Sequence, residues 1–432
     1  MEGSITQLGL SNYLINNKEP AVSFFRHGYK NYSNFVRDTR RIPFKGDFNF
    51  GNRSIVDLNE LGKYGDLITN IVVEVDLPDI SSATVGGKNI GYCNGVGNAL
   101  IKETEMKING GSIDKQSSEW MDIWSQLSTK PGLQNVYNRM IKKYDDDKYF
   151  YDNFQGGKIY IPLQYWFCQY SSSNNRPLVF PLAAVNNSKI ELIFSLRNLS
   201  ELISIDGGGT GSPTDTFNIS DANLLVDFIT LEEKERLRLQ NSPRQLFVMT
   251  QVQEIKESVV AGTIDKTVSL RQFKYPVSEI FWVLKRNDAS TNKMHFSYGK
   301  ELKVNTTDPI TKTRISFEGQ DRVPELSSDY FSQIEPFKVH DNTPSTHIHC
   351  YSFSLEPENM AQPAGICNFS NLSEPQLHFE FDTGIVESML HIYAINYNVL
   401  QVDDKGNAWL LHNLSKSTPD SIDKDRRKDV CQ

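Results

Sequence analysis

Three histidines and a cysteine stand close together in the second half of the chain: His340, His347, His349 and Cys350. These are metal-ligand types, and the i,i+2 spacing of His347 and His349 puts both on one face of a strand, a placement that suits metal capture. The same face continues as Tyr351, Phe353 and Leu355, which reads as core, and no Glu follows two or more places on to complete a ligand set. Gly95-Val-Gly97-Asn-Ala-Leu100 approaches a dinucleotide fingerprint but lacks the third glycine and a following helix, so it reads as a turn. Asp145-Asp146-Asp147 has the charge for a cation, yet it follows a helical segment in a polar stretch and reads as a solvated loop. The aromatic pairs Tyr165/Phe167 and Tyr393/Tyr397 lack the flanking Lys and Arg of a base-stacking platform and read as sandwich core. There is no Walker lysine motif, no HExxH and no GxSxG. The residues predict no catalytic set, no cofactor and no metal.

The frame for these residues is set by composition. A chain of 432 residues with 23% charged and 11% aromatic side chains is long enough for two or three domains and has a globular balance. The net charge of −8 argues against a surface built to hold nucleic acid, which needs basic patches. No run approaches the ~20 apolar residues of a membrane helix, and the first residues lack the basic and apolar regions of a secretory signal. The five cysteines (Cys93, Cys168, Cys350, Cys367, Cys431) are scattered and form no CxxC pair, which suggests neither a disulfide framework nor a zinc ribbon and fits a reducing compartment.

Strand patterns dominate. Leu67–Leu77 alternates, with Gly65-Asp66 before it and Pro78 after it as turn punctuation; residues 100–109 alternate again and end in the hairpin signal Asn109-Gly110-Gly111. Two helical patterns interrupt. Trp120, Ile123, Trp124 and Leu127 share one face, with Ser117 or Ser118 as cap; Leu133, Val136, Tyr137, Met140, Ile141 and Tyr144 follow Pro131. Both read as helices in a loop excursion on a sheet edge or flank. Further strands are expected at 158–167, with Ile159, Ile161, Leu163, Tyr165 and Phe167 on one face, and at 189–196. Later strands are expected at 245–255, 267–270, 278–284, 312–318, 347–355, 376–381 and 388–402. Many short strands at this spacing predict sandwiches or barrels, here two sandwiches in series.

The two halves meet in the stretch 223–255. An apolar run, Leu224–Leu231, gives way to dense charge and then a second apolar run. Leu231–Gln240 is expected as one short helix, supported by Glu232 and Arg236 at i,i+4 and stopped by Asn241-Ser242-Pro243. Leu231, Leu237 and Leu239 are its expected buried contacts and its charges the solvated side, so Leu237→Asp is expected to spoil the register between the halves.

Against this background the residues 24–77 resemble the opening of the major capsid protein of nucleocytoplasmic large DNA viruses. Tyr29-Lys-Asn-Tyr-Ser-Asn-Phe35 stands at the leading signature, and the turn Gly65-Asp66-Leu67 precedes the strand ending in Leu77-Pro78. The similarity continues in order through Ile161–Phe167 with Pro162 and Trp166, Leu231–Leu237 with Glu232 and Arg236, and Gln251-Val-Gln253. It then runs through Phe273–Pro276, Ile280–Trp282, Gly319-Gln-Asp321-Arg322, Asp329-Tyr330-Phe331 and Tyr351–Leu355. It closes with Gly365-Ile-Cys-Asn368-Phe369-Ser370 and Ile392–Leu400, which holds Asn396-Tyr397-Asn398. The chain departs from the family pattern at Phe369-Ser-Asn-Leu-Ser373 and in the charged tail after Leu400.

The resemblance implies an all-β fold of two eight-stranded antiparallel jelly rolls in tandem, with short helices in loops. It implies an N-terminal arm at 1–21, a first jelly roll at 22–230, a connecting helix at 231–243, a second jelly roll at 244–402 and a tail at 403–432. The implied function is a structural major capsid protein whose homotrimers form pseudo-hexagonal capsomers of an icosahedral capsid, assembled in the host cytoplasm. Its implied partners are itself, neighbouring capsomers, minor capsid and penton proteins and, indirectly, an inner virion membrane, with no direct nucleic-acid binding. Residues 203–216 and 286–309 are the expected outer loops. Other readings are a double jelly-roll scaffold protein of immature virions, a minor capsid or penton-type protein, and a jelly-roll glycan-acting or metal-dependent enzyme.

Overall fold

Sixteen principal strands carry the fold in the computed structural model, which describes residues 33–144, 154–168, 178–206, 211, 213, 216–302, 306–345, 347–360 and 362–411. The first eight are β1 (Phe35–Pro43), β2 (Arg53–Asp57), β3 (Leu67–Leu77), β4 (Ile101–Ile108), β5 (Gly111–Ser117), β6 (Gly157–Pro162), β7 (Ile190–Leu196) and β8 (Asp221–Leu231). The second eight are β9 (Arg244–Val259), β10 (Asp265–Ser269), β11 (Pro276–Arg286), β12 (Ile310–Phe317), β13 (Gln320–Ser327), β14 (His349–Ser352), β15 (Pro375–Phe381) and β16 (Ser388–Asp403). The first set forms sheets in the order β1-β8-β3-β6 and β2-β7-β4-β5; the second forms β9-β16-β11-β14 and β10-β15-β12-β13. Adding eight to each label of the first sandwich gives the second. Each is an antiparallel jelly roll, so the chain is a double jelly roll whose duplication no sequence repeat betrays.

Local chemistry explains the shared turns. Between β4 and β5 the two-residue turn Asn109-Gly110 has φ of 50° and 81°, and between β12 and β13 Glu318-Gly319 has φ of 54° and 78°. Both central residues of such a turn need positive φ, which glycine adopts freely and asparagine readily. The first hairpin is written in the sequence as Asn-Gly. The second is hidden, because β13 is charged, contains Pro324 and exposes most of its residues.

The apolar patterns sort onto faces. In β3 the side chains of Ile71, Val73, Val75 and Leu77 are buried in the first core, as the alternation predicts. β11 reads instead as a continuous apolar run, and the structure shows why. Ile280, Trp282 and Leu284 enter the core of the second sandwich, while Phe281 and Val283 belong to the core that includes the first. β16 is divided in the same way, with Leu390, Ile392 and Ala394 on one side and Tyr393 and Ile395 on the other. The sheet β9-β16-β11-β14 is therefore covered on both faces, an arrangement that antiparallel sheets use less often than one-sided burial.

Several expectations change. The strand expected through residues 158–167 stops at Pro162, although Ile159, Ile161, Leu163, Tyr165 and Phe167 are all buried. Gly95 is followed by a helix after all, the five-residue Val96–Leu100. The strand expected at 347–355 is only His349–Ser352, and its expected core face holds in part: Tyr351 and Phe353 pack half-buried against the second core, whereas Leu355 is exposed. The tail expected from 403 begins with a strand, Ala408–Leu410, paired with β16. Asp145–Asp147, residues 29–32 of the leading signature and residues 207–210, 212, 214 and 215 of the expected outer loop lie outside the described residues.

Candidate functional site

Where two sandwiches share one chain, the place that decides their relation is the surface between them, and here it is built around the helix Ser118–Ser128. Ser117 caps it by accepting a hydrogen bond from the Trp120 N–H, as its position before the apolar face predicts. The helix does not lie on a flank as expected. Ten of its side chains, Ser118 through Leu127, are buried. Trp120 packs edge-on against Phe281 at 5.2 Å between ring centroids and lies 5.3 Å from Tyr393, so its indole is held by two strands of the second sandwich. Trp124 stacks on Trp120 at 5.7 Å and meets Phe281 and His340 edge-on.

Buried charge accompanies this aromatic contact. Glu119 lies 2.5 Å from the Lys285 ammonium of β11 and 3.5 Å from Arg197, and all three residues are under 8% exposed. Burial alone would raise the Glu119 pKa, but Lys285 and Arg197 together hold it well below the usual carboxylate range. Arg197 also donates to the Ala99 carbonyl at 2.6 Å and to Ser118 Oγ at 2.8 Å, so its fork is satisfied within the first sandwich. One turn on, Asp122 is fully buried; it pairs with Lys143 at 2.5 Å and accepts from Gln126 at 2.8 Å and from the Tyr298 hydroxyl at 3.4 Å. His295 Nε2 meets the Glu201 carbonyl oxygen at 2.8 Å. Burial, with Arg197 and Lys285 nearby, lowers the His295 pKa to about 3 and keeps the ring neutral. Residues 286–309, expected as an outer loop, thus spend His295–Gly299 in buried contact, and among the described residues their longest exposed run is Ser290–Asn292.

A polar ladder crosses the same boundary. Gln251 of β9 accepts from the side-chain amides of Asn396 at 3.3 Å and Asn398 at 2.8 Å, and its own amide donates to the Ile113 carbonyl of β5. Gln253 donates to Asn396 Oδ1 at 2.8 Å. Val252 N–H donates to Asp114 at 3.0 Å, and burial pushes the Asp114 pKa up to about 6. The motifs Gln251-Val-Gln253 and Asn396-Tyr-Asn398, far apart in the chain, lie on paired strands and meet where Gln251 stands opposite Asn396. Tyr397, opposite Thr250, is buried.

The other motif residues fall into local structural roles. Gly65 leaves room for Phe228, whose Cβ would sit 2.7 Å from an added methyl group. Asp66 accepts from the Leu231 N–H at 2.8 Å and pairs with Arg236 at 2.9 Å, tying the start of β3, where Leu67 faces Ile229, to the connecting helix. That helix spans Glu233–Asn241 rather than 231–240, and Glu232 is its N-cap. Its expected buried contacts are corrected: no residue of it is buried, Leu237 is 48% exposed, and Leu239 is only partly covered. Pro162 faces Val72 at the end of β6, and Trp166 packs against Phe167 and Phe180. Asp321 lies 3.4 Å from Arg314 on exposed β13, beside Arg322. Phe331 packs edge-on against Trp282 at 5.1 Å, and the Tyr330 hydroxyl accepts from Lys338. Asn368 accepts from the Ser370 N–H, Ser370 Oγ accepts from the N–H of Tyr275, whose φ is +70°, and Phe369 is buried among Phe273, Phe317 and Phe353.

The metal-ligand types separate into two groups. His349 stacks on Trp282, and its Nε2 lies 2.8 Å from both Asp308 and Ser328; His347 Nε2 reaches the Thr306 carbonyl at 2.6 Å. His340 joins a different cluster, in which its Nε2 lies 2.7 Å from Glu279, its Nδ1 lies 2.9 Å from Glu358, and Cys350 is adjacent. The charged seam escaped sequence reasoning because Glu119 and Asp122 sit on what looks like the polar side of an amphipathic helix. The available signal was β11, whose unbroken apolar run between Glu279 and Lys285 calls for cover on both faces.

Two family models match the chain in succession. One, described as the N-terminus of the major capsid protein, matches residues 23–232; the other, described as the large eukaryotic DNA virus major capsid protein, matches 235–407. Their boundary falls at Glu233-Lys234, where the connecting helix begins. The chain is 24% identical to the major capsid protein of Phaeocystis pouchetii virus, across 90% of this chain and 95% of that one. It is 25% identical to the major capsid protein of Paramecium bursaria Chlorella virus 1, across 93% and 98%. Among solved structures it is similar to the quasi-atomic PBCV-1 virus capsid, with a TM-score of 0.74 and 22% identity over 90% of this chain and 100% of that one.

Proposed function

Because the chain belongs to the family of major capsid proteins of large eukaryotic DNA viruses, we propose that three copies of it associate into a pseudo-hexagonal capsomer that tiles an icosahedral shell. It is a structural protein of the virion and not an enzyme. The observation that carries the proposal is the pair of sandwiches with identical strand order in one chain. Three such chains place six equivalent sandwiches around a threefold axis, which fills a hexagonal lattice position that a single sandwich would need six chains to fill. The buried charge and aromatic contact between the sandwiches supports this reading, since a capsomer edge stays regular only when the two halves keep a fixed angle.

An obligate trimer of this kind buries on the order of 2,000 Å² or more per interface. Exposed Leu246, Val248 and Trp409 lie at the end of the sheet where β16 runs between β9 and the strand Ala408–Leu410, with Leu246 and Trp409 both opposite Gln401, and supply apolar area for such contact. We divide the chain as an arm at 1–21, sandwiches at 22–230 and 244–402 joined by 231–243, and a tail from 403. The arm and the end of the tail face inward, toward minor capsid and penton proteins and, through them, an inner membrane. Residues 206–216 and the exposed tip at Ser290–Asn292 face outward, the expected loop being shortened because Ile203–Ile205 is a paired strand with Ile203 and Ile205 buried, and assembly takes place in the host cytoplasm. Multi-angle light scattering with negative-stain microscopy of the full chain tests the reading. Particles of three chains with hexagonal outline are expected; a stable lone monomer at micromolar concentration overturns it.

A further inference from the structure

Glu279, His340 and Cys350 place a carboxylate oxygen, an imidazole nitrogen and a thiol sulfur within 4.8 Å of one another. Glu279 and Cys350 come from the paired strands β11 and β14, in which Phe281 faces Cys350, and His340 comes from the turn after the helix Glu335–Val339. All three side chains lie on the side of the sheet that faces the first sandwich, beside Phe281 and Trp124.

Three observations distinguish this cluster from an ordinary buried ion pair. The Glu279 carboxyl is fully buried, yet its Oε2 has no hydrogen-bond partner. An orphaned acceptor of this kind costs roughly 1–3 kcal/mol and asks for a ligand. The His340 ring is already oriented, because its Nδ1 meets Glu358 at 2.9 Å while Nε2 points to Glu279. A carboxylate on one ring nitrogen with the other nitrogen facing the ligand set is the usual arrangement behind a metal-bound histidine. Finally, a cavity of about 620 Å³ lined by Trp124, Glu358 and Met360 reaches the His340 side of the cluster, while Glu279 and Cys350 lie behind the ring.

We propose that Glu279, His340 and Cys350 bind a structural zinc ion at the boundary between the two jelly rolls, with Glu358 holding the histidine. One thiolate, one imidazole and one carboxylate match the mixed ligand set that zinc accepts, and the thiolate excludes magnesium and calcium, which take oxygen ligands. Charge balances. Binding displaces the Cys350 thiol proton to solvent, and the dication is matched by the Cys350 thiolate and the Glu279 carboxylate, with His340 as a neutral ligand. The ion gives Glu279 Oε2 a partner without adding an uncompensated charge, and no redox step is involved.

The test uses the full chain in its native assembly, purified without chelator from zinc-supplemented medium. Elemental analysis is expected to find stoichiometric zinc, and stripping it is expected to lower Tm, with recovery on adding zinc alone. Cys350→Ser is expected to lose the ion, while the control Cys93→Ser, at a buried thiol elsewhere, keeps it. Replacement of zinc by cobalt(II) in the wild-type chain is expected to give thiolate-to-cobalt charge-transfer absorption, a readout that needs no variant to fold. Substoichiometric zinc in the wild-type protein, retention of zinc by Cys350→Ser, or a cobalt spectrum without the thiolate band each overturns the proposal.

Discussion

The chain joins its sandwiches twice, and the two joints are made of opposite materials. The covalent joint, Glu233–Asn241, is charged, exposed and buries nothing; its tie to the first sandwich is the partly exposed Arg236–Asp66 pair. The non-covalent joint, Ser118–Ser128, is buried through ten residues and carries Trp120, Trp124, Glu119 and Asp122 into contact with the other sandwich. The difference teaches that connection and orientation are separate tasks. A linker sets which sandwich follows which, whereas the angle between them is held where apolar area and paired charge leave water.

That division can be broken most severely at Trp120. Trp120→Ala removes the side chain lodged between Phe281 and Tyr393 and is expected to cost about 3–5 kcal/mol, with loss of cooperative unfolding of the two sandwiches in calorimetry. Lys285→Met comes next. It leaves the Glu119 carboxylate buried with Arg197 as its remaining cation, and breaking a buried pair from one side costs roughly 3 kcal/mol. Urea titration should show it, and the double variant Glu119→Gln/Lys285→Met should be milder than the sum of the single ones.

Acidity sharpens the comparison without a truncation. His295 has a folded pKa of about 3 against an ordinary 6.5, so between these values the unfolded chain binds the proton that the fold excludes. Glu119 has a depressed pKa in the fold and contributes stability that is present above its ordinary 4.5 and lost as pH falls below it. Both make stability fall with falling pH. Compared with wild type, His295→Gln, which keeps the bond to the Glu201 carbonyl but cannot be protonated, should therefore lose less melting temperature between pH 6.5 and 4, a difference that leaves out the opposing Asp114 carboxyl with its pKa of about 6.

The smallest effect belongs to the covalent joint. Leu237→Asp changes a 48% exposed side chain on a helix with no buried residue and is expected to stay within about 0.5 kcal/mol, with normal trimers by light scattering. The sequence alone suggested the reverse, because Leu237 and Leu239 are the obvious apolar residues in a charged stretch. A large loss of stability or of trimer in Leu237→Asp would erase the contrast between the two joints.

The legible part of this protein was whatever a strand or helix states about itself. The alternation of Leu67–Leu77, the Asn109-Gly110 turn, the cap at Ser117 and the apolar face of Trp120, Ile123, Trp124 and Leu127 all appear where the spacing puts them. The collinear motifs led to the family, and Gln251, Asn396 and Asn398 proved to touch. What stayed hidden depends on partners distant in sequence. β13 was masked by its own charges, and Glu119 reads as a solvated residue until Lys285, 166 positions away, is placed beside it. His340 was grouped with His347 by proximity in the chain, yet it faces Glu279 from a neighbouring strand.

By itself, then, the sequence determined strand text, turn chemistry, a double sandwich by resemblance and the absence of a recognisable catalytic motif. Those are properties of short windows, set by side-chain periodicity and by which residues accept positive φ. Only the tertiary structure decided that β11 and β16 are buried on both faces, that one helix locks the sandwiches while the linker helix stays in water, and that a carboxylate, an imidazole and a thiol meet at their boundary. The physical reason is that burial and pairing are relations between segments, and the energy of a buried charge is fixed by what stands opposite it.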